Sequence, residues 1–255
     1  MKKSLRSLFK EGNPVVGTWA DGEKATDIEI AGLSGYDFVI IDEEHNCHTN
    51  PNKLELIRAA ENANIIPIFR VPGFSYEDSI KKVLDMGAGG ILVPNISSKE
   101  EGMQAIKYSK FAPIGNRGAC PFVRANDYGY KYGEIEYYQK ANEEVTIIFL
   151  IENVSAIENF DEIISINGLD AILIGRADLS VSMGIPGQYE NPKLLSEIKK
   201  IVEKARKNGV PAGMVAFSVE DTMRWLKDDI DFVTTFIGAG SLIKMNRDIV
   251  KAIKS

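Results

Sequence analysis

Eight short apolar runs, each followed by a longer segment of mixed polarity, constrain the fold of this chain more than any other feature. The runs are rich in β-branched residues and continuously apolar, which is typical of strands buried on both faces of a parallel sheet. They span residues 14–20, 36–42, 66–72, 89–95, 146–152, 170–176, 211–217 and 231–237. The segments between and after them predict helices at 23–34, 52–63, 75–86, 98–110, 153–165, 191–208, 218–228 and 240–253.

Eight strands alternating with eight helices in a chain of 255 residues predict an α/β fold of the TIM (β/α)8 barrel type. A doubly wound open sheet is the alternative, but it usually carries fewer strands and a glycine-rich first turn, which this sequence lacks. No linker composition interrupts the chain, so a single domain over residues 1–255 is expected. Residues 111–145, rich in Gly, Asn, Tyr and Arg, are expected to form a long loop insertion.

The charge pattern excludes several classes of partner. The net charge is −6 and no block of lysine and arginine stands out, so nucleic acid and anionic membranes are not expected partners. No apolar run approaches the ~20 residues of a membrane helix. The basic N-terminus is not followed by an apolar signal core. Cys47 and Cys120 are too few for a disulfide framework, so a reducing cytoplasm is the expected location.

Ionisable side chains follow several of the predicted strands at their carboxyl ends. The second run, for example, leads directly into "DEEH". In chain order the candidates are Asp42, His45, Arg70, Glu152 and Asp178. Because the carboxyl ends of all strands in a barrel meet at one face, where barrel enzymes carry their active sites, we expect these side chains to lie together.

Each candidate has a catalytic and a structural interpretation. Glu152 and Asp178 suit a hard divalent cation such as Mg²⁺ or Mn²⁺, or they cap the helices that follow. Arg70 lies at a buried strand end and must therefore pair with an anion. In the catalytic interpretation the anion is a substrate carboxylate or an enolate oxygen. In the structural interpretation it is the carboxylate of Asp42 or Glu152. His45 is a structural histidine or a general base, and the acids around it favour the base.

Other chemistries are not supported by the sequence. None of the eight predicted strands contains a lysine, which disfavours a Schiff-base aldolase. No strand is followed by a GxGxxG or GxxxxGK[ST] motif, so dinucleotide and P-loop chemistry are not indicated.

Six segments resemble, in order and spacing, the HpcH/HpaI aldolase family of class II pyruvate aldolases in the phosphoenolpyruvate/pyruvate barrel superfamily. They are "GYDFVIIDEEH", "IPIFRVP", "GAGGILVPNISSKEE", "FAPIGNRG", "FLIEN" and "ILIGRADLS". The resemblance implies a metal-dependent lyase that cleaves a 4-hydroxy-2-oxo acid to pyruvate and an aldehyde through a pyruvate enolate. The alternatives are an oxaloacetate decarboxylase, a hydroxyacyl-CoA or citrate lyase-like enzyme, and a non-catalytic barrel that binds metal and carboxylate.

The resemblance also implies a binding site for metal and substrate. Glu152 and Asp178 would ligate Mg²⁺, Mn²⁺ or, alternatively, Co²⁺. The backbone amides of Gly175, Arg176, Ala177 and Asp178 would hold the carboxylate of the small oxo-acid substrate.

Four further roles are implied for proton handling and charge stabilisation. Arg70 would stabilise the enolate oxygen, and His45 would act as general base through a metal-bound water. Asp85 would orient His45, and Asp42 would position the water or the histidine. The family is typically hexameric, built from dimers that exchange their C-terminal helices, so a homo-oligomer is expected.

Two positions depart from the aldolase pattern. Leu150 stands where a glutamine is usual, on the strand face that also carries Glu152. Arg176 replaces the proline of a "GPADLS" motif and would either bind a second anionic group or pair with a nearby acid. Together with Arg117 and Arg124, it suggests a substrate more anionic than a simple aldehyde.

Overall fold

The structure is a computed structural model, and it describes residues 4–20, 24–45, 52–236 and 239–254. The strands are β1 (Val15–Ala20), β2 (Phe38–Asp42), β3 (Ile66–Arg70), β4 (Gly90–Val93), β5 (Thr146–Ile151), β6 (Ala171–Ile174), β7 (Ala212–Ala216) and β8 (Phe232–Phe236). They are parallel and close into a barrel in chain order. Closure is visible at Gly17, which lies opposite Phe38 of β2 on one side and Thr234 of β8 on the other. The predicted (β/α)8 barrel is confirmed.

The helices lie before, between and after the strands, and the described side chains of the last helix are exposed. The helices are α1 (Leu5–Lys10), α2 (Ala25–Leu33), α3 (Lys53–Asn62), α4 (Glu77–Met86), α5 (Lys99–Ser109), α6 (Glu134–Glu144), α7 (Val154–Glu158), α8 (Phe160–Ile164), α9 (Arg176–Ser182), α10 (Pro192–Lys207), α11 (Val219–Lys227) and α12 (Ala239–Lys254). A 3₁₀ segment spans Arg124–Gly129. The predicted helix at 153–165 is divided into α7 and α8 at Asn159, which ends the first and precedes the second.

The segment predicted as a long loop is irregular only in its first two thirds. Its last third forms α6, in which Tyr137 is buried and its ring lies 5.8 Å from that of Phe111. The glycine- and asparagine-rich composition of the first part obscures this helix in the sequence. The helix is held to the rest of the chain by the packing of the Tyr137 ring against Phe111 and by two hydrogen bonds between the Asn142 side chain and the Phe111 backbone.

The interior of the barrel is apolar and is closed at the end where the strands begin. Interior glycines make room for large rings. A Cβ on Gly17 would lie 2.2 Å from the Phe38 ring, and a Cβ on Gly213 would lie 2.3 Å from the Phe232 ring. α1 covers this end, with the Phe9 ring 5.0 Å from that of Phe232. The opposite end, where the strands terminate, is the mouth of the barrel and carries polar side chains.

Two further expectations concern the whole chain. Within the described ranges, no helix has both the length and the apolarity that crossing a membrane requires. Cys120 is a free, exposed thiol, and Cys47 lies outside the residues that the structure describes.

Candidate active site

The predicted ionisable side chains are gathered where the strands end. Asp42 and Arg70 are the last residues of β2 and β3 and lie opposite each other in the ladder. Glu152 directly follows β5, and Asp178 lies in the first turn of α9. The charges of Glu44, Asp178 and Arg70 all act on Glu152, so these groups share one electrostatic environment.

Arg70 is held rigidly by carboxylates and an aromatic ring. Its Nε and Nη2 donate to the two carboxylate oxygens of Asp42 at 2.8 and 2.6 Å, a bidentate pair. Its Nη1 lies 3.0 Å from Glu44 Oε2, and its guanidinium lies 4.7 Å from the centre of the Trp19 ring. Of the two internal partners considered for Arg70, the structure shows Asp42 and not Glu152.

This arrangement determines the ionisation of Asp42. Burial acts to raise its pKa, but the hydrogen bonds and charge of Arg70 and the backbone amides of Glu44 and His45 outweigh burial. The pKa of Asp42 therefore lies below its usual value, and the carboxylate is a permanent anion that fixes the orientation of Arg70.

Glu44 connects Arg70 to the end of the next strand. Its Oε1 accepts a hydrogen bond from Asn95 Nδ2 at 3.0 Å. Asn95 has a positive φ of 56°, a conformation that asparagine tolerates better than most residues, and its backbone N–H donates to Glu152 at 2.8 Å. Burial raises the pKa of Glu44 despite the nearby Arg70. Asn95 thus joins Glu44 and Glu152 through two bonds.

Glu152 is a buried carboxyl group surrounded by other acids. Burial raises its pKa to about 7, with the charges of Glu44 and Asp178 adding to the shift, although the Asn95 N–H and Arg70 oppose it. A carboxyl group in such a position is stable when it is protonated or when a cation neutralises it.

The raised pKa predicts a pH-dependent stability of the metal-free protein. Because the folded-state pKa of Glu152 is about 7 and the ordinary value is 4.5, its protonated form stabilises the fold below pH 4.5. This stabilisation is lost as the pH rises through 7. We expect the free energy of unfolding of the wild type to fall by about 3 kcal/mol more than that of Glu152→Gln between pH 4.5 and 8. Urea denaturation in EDTA measures both; parallel profiles would contradict the assignment.

The chemistry of the donors fits a divalent cation. Glu152 and Asp178 offer carboxylate oxygens, the ligands that Mg²⁺ and Mn²⁺ prefer. Across the described part of the chain, no group of three or more His, Cys, Asp or Glu side chains has metal-binding geometry. A site with two protein carboxylates leaves coordination positions for water and for a chelating substrate, as a catalytic site requires.

Gly175 has a steric role that its place in the motif does not reveal. A Cβ at this position would lie 3.0 Å from Glu152 Cβ and 3.1 Å from Glu152 Oε2, so glycine allows the carboxylate to lie against this turn. Its N–H donates to the carbonyl of Ile151 at 3.1 Å. The amide of Gly175 is therefore engaged within the barrel. The first-turn amides of α9, from Arg176 to Asp178, are the ones left to hold a carboxylate.

The side chain of Arg176 is engaged by Val215 and Asp221, and the substrate contact predicted for its backbone amide stays a prediction. Arg176 is 1% exposed, and its Nη2 donates to the Val215 carbonyl at 3.0 Å and to the carboxylate of Asp221. The guanidinium lies 4.5 Å from the ring centre of Phe217 and 5.1 Å from that of Trp225. Pairing with a nearby acid, the second interpretation of Arg176, is what the structure shows.

This buried pair predicts a stability effect. Replacing Arg176 by Ala leaves the Asp221 carboxylate without its cation in a largely buried position, so we expect a loss of about 3 kcal/mol in the free energy of unfolding. Arg224→Ala is the matched control, because Arg224 lies on the same helix as Asp221 and forms an exposed pair with Glu190. The control should cost less than about 1 kcal/mol. Equal losses in urea denaturation would contradict this interpretation.

The other two arginines are paired as well. Arg117 lies 2.6 Å from Asp85, and Arg124 is bonded to both carboxylate oxygens of Glu61. Since Arg176 is neutralised by Asp221, none of the three offers a free positive charge. The suggestion of an unusually anionic substrate therefore loses its basis.

His45 lies at the rim of the site. Its side chain is 67% exposed, and its Nε2 is 3.8 Å from Glu44 Oε2. The chain continues from His45 into residues 46–51, which lie outside the described ranges. Its role as general base is not tested by these contacts and stays a prediction.

Asp85 is not brought to His45 within one chain. It lies in the last turn of α4, whose C-terminal end leads to the beginning of β4, where the Gly89 N–H donates to the Pro67 carbonyl at 2.8 Å. This is the end of the barrel opposite the mouth. Asp85 pairs there with Arg117, so the orienting role implied for it is not formed inside the single chain.

Two further residues near the strand ends contribute to the site. Asn95, after β4, joins two carboxylates, and Glu44 contacts both Asn95 and Arg70. Each lies two residues after the end of a strand, and this position is the signal that the sequence offers for them.

The chain is similar to known proteins over most of its length. A family model described as HpcH/HpaI aldolase/citrate lyase matches residues 16–244. The hydroxypyruvate/pyruvate aldolase of Sagittula stellata is 31% identical over 222 residues, which cover 87% of this chain and 85% of the relative. The 5-keto-4-deoxy-D-glucarate aldolase of Enterobacter sp. (strain 638) is 30% identical over 226 residues, which cover 89% of this chain and 85% of the relative.

Solved structures show the same fold over the full chain. Citrate synthase SbnG has a TM-score of 0.89 at 32% identity, covering 98% of this chain and 97% of that one. An HpcH/HpaI aldolase from Desulfitobacterium hafniense DCB-2 has a TM-score of 0.92 at 28% identity, covering 99% and 97%. Since the family model matches most of its length, this chain belongs to the HpcH/HpaI aldolase/citrate lyase family.

Proposed function

We propose that the chain is a divalent-metal-dependent aldolase that cleaves a 4-hydroxy-2-oxo acid to pyruvate and an aldehyde. The observation that best supports this is the combination of a rigidly held Arg70 with the Glu152 and Asp178 carboxylates at one mouth. A 2-oxo acid presents a carboxylate and a keto oxygen, and this site offers a cation-binding acid pair and a guanidinium to meet them. Relatives named as aldolases support the same reaction class.

Glu152 and Asp178 would hold the cation, which we propose to be Mg²⁺, Mn²⁺ or Co²⁺. When bound, the cation supplies positive charge beside the keto group and so lowers the energy of the enolate. The first-turn amides of α9 would bind the carboxylate of the oxo acid, at the positive end of the helix.

Side chains at the mouth would carry out the proton transfers and stabilise the enolate. A base removes the proton of the 4-hydroxyl group, the bond between C3 and C4 breaks, and the aldehyde leaves with the enolate of pyruvate remaining. Arg70, already oriented by Asp42, donates to the enolate oxygen without reorganisation. Protonation at C3 then gives pyruvate. His45 is the proposed base, and its exposed position allows it to exchange the proton with solvent.

The proposal is tested by product analysis with a panel of 4-hydroxy-2-oxo acids. The protein with Mn²⁺ should release pyruvate and an aldehyde in equal amounts, and EDTA should abolish the release. Retention of activity in EDTA, or absence of aldehyde, would contradict the proposal.

A second candidate uses oxaloacetate, and the similarity to a structure described as a citrate synthase favours its inclusion. The same enolate-stabilising groups would serve decarboxylation, which yields pyruvate and CO₂ without an aldehyde. Citrate formation from oxaloacetate and acetyl-CoA would release a free thiol. The three reactions are therefore distinguished by aldehyde, CO₂ and thiol detection in parallel assays.

We also propose that the chain forms a homo-oligomer, a hexamer built from dimers that exchange α12. The support is an exposed apolar face on this helix, since Leu242, Ile249 and Ile253 are about half or more exposed. Light scattering should give an oligomer for the wild type and a smaller species for Ile249→Glu. Lys251→Glu, also on α12, is the control for added negative charge. A monomeric wild type would contradict the proposal.

A further inference from the structure

Asn95 stands between the two parts of the site on which the proposed function depends. It lies two residues after β4, and β4 pairs with β3 on one side and with β5 on the other. Arg70 ends β3, and Glu152 directly follows β5. Along the rim of the mouth, Asn95 therefore lies between the proposed enolate donor and the proposed metal ligand.

The backbone at Asn95 has an unusual conformation that its neighbours hold in place. Pro94 and Ile96 are buried, whereas Asn95 itself is exposed. The Asn95 carbonyl accepts a hydrogen bond from Ser97 Oγ at 3.3 Å. The φ of 56° lies in the left-handed region, which glycine adopts freely and asparagine more readily than most other residues. Glycine is therefore the substitution that keeps this backbone while removing the side chain.

Asn95 donates to two carboxylates that repel each other. Its backbone N–H donates to Glu152 Oε1 at 2.8 Å, and its side-chain Nδ2 donates to Glu44 Oε1 at 3.0 Å. Next to burial, the charge of Glu44 raises the pKa of Glu152, which reflects this repulsion. Because both donors belong to one residue, they fix the position of one carboxylate relative to the other.

Glu44 extends this arrangement to Arg70. The two bonds to Asp42 do not by themselves prevent tilting of the guanidinium about the line through its Nε and Nη2 atoms. Nη1 lies off that line, and it is 3.0 Å from Glu44 Oε2. Together with the Trp19 ring, 4.7 Å from the guanidinium, Glu44 therefore restrains the tilt. A movement of Glu44 would change the direction of the N–H groups that are available to an enolate oxygen.

We propose that Asn95 is a positioning residue that ties the orientation of Arg70, through Glu44, to the proposed metal ligand Glu152. The inference rests on the proposed aldolase function. Asn95 acts through these side chains and not on the substrate. Its side-chain amide serves the enolate donor and its backbone N–H serves the metal ligand, so the two contributions can be separated by substitution.

Asn95→Gly separates them, because glycine keeps the backbone N–H and the positive φ but removes Nδ2. With Mn²⁺, kcat for solvent exchange of the pyruvate methyl protons should fall about 10-fold, since Arg70 loses part of its preorganisation. KM for pyruvate and the Mn²⁺ affinity, measured by titration calorimetry, should stay within about twofold of the wild-type values. Asn64→Gly is the matched control and should leave all three unchanged. Asn64 is an exposed asparagine with a φ of 59°, two residues before β3 and so at the opposite end of the barrel.

A double-mutant cycle with Glu44→Ala tests whether Asn95 acts through Glu44. The double variant should be as slow as Glu44→Ala alone, because Asn95 then has no carboxylate to hold in front of Arg70. Effects that multiply in the double variant would overturn the inference. An Mn²⁺ affinity that falls together with kcat in Asn95→Gly would overturn it as well, because that pattern shows only a structural role.

The wild type separates failure of this inference from failure of the proposed function. If the wild type exchanges the pyruvate protons and Asn95→Gly exchanges them equally fast, the role of Asn95 is overturned while the aldolase function stands. If the wild type shows no exchange with Mn²⁺ bound, both proposals fail.

Discussion

Substitution of Glu152 by Gln is expected to lower the metal-dependent rate of pyruvate proton exchange by about 1,000-fold. The amide keeps the shape of the side chain but removes the negative charge that would hold the cation, and loss of several kcal/mol of charge stabilisation corresponds to this factor. Affinity for Mn²⁺, measured by titration calorimetry, should fall in parallel. Because the substitution also removes a buried carboxyl group with a raised pKa, the metal-free variant should be at least as stable as the wild type at pH 8.

Glu158→Gln provides the matched control for this prediction. Glu158 is an exposed residue at the end of α7, six residues further along the chain, so the same chemical change occurs outside the site. Its exchange rate and Mn²⁺ affinity should equal those of the wild type. A Glu152→Gln variant that binds Mn²⁺ as tightly as the wild type would contradict the assignment of Glu152 as a ligand.

Substitution of Arg70 by Lys is expected to lower kcat/KM by about 100- to 1,000-fold while metal affinity changes little. Lysine keeps the positive charge but cannot form the bidentate pair with Asp42 or the stacked contact with Trp19, so the charge is no longer held in one orientation. Removal of one preorganised donor to a developing oxyanion costs about this much in other enzymes. The loss should appear mainly in kcat.

Arg58→Lys, an exposed position on α3, is the control for the change of cation and should leave the kinetics unchanged. If Arg70→Lys alters only KM, the guanidinium contributes to uniform binding of substrate and not to stabilisation of the enolate. That outcome would contradict the role given to Arg70.

Much of the fold could be predicted because its determinants are local. Continuous apolar runs indicate strands buried on both faces, and their number and spacing indicate a closed barrel. The same topology brings the strand ends together, which is why Asp42, Arg70 and Glu152 could be placed in one site. The helix α6 was not predicted because residues 111–145 have a loop-like composition throughout, although the first part is irregular and the last part is helical.

The direction of long side chains could not be predicted, because it depends on partners distant in sequence. Arg176 lies within a motif associated with substrate binding, yet its guanidinium is drawn to Asp221, 45 residues away. Asp85 likewise meets Arg117, 32 residues away. The steric role of Gly175 depends on the position of Glu152, directly after the adjacent strand β5, which only the folded chain defines.

The central claim is that the mouth of the barrel stabilises the enolate of a 2-oxo acid. Proton NMR of pyruvate in D₂O with the purified protein tests this claim most directly, first with Mn²⁺ and then with EDTA. The account predicts loss of the methyl signal with the metal and none with EDTA. Absence of exchange while Mn²⁺ is shown by calorimetry to be bound would contradict it.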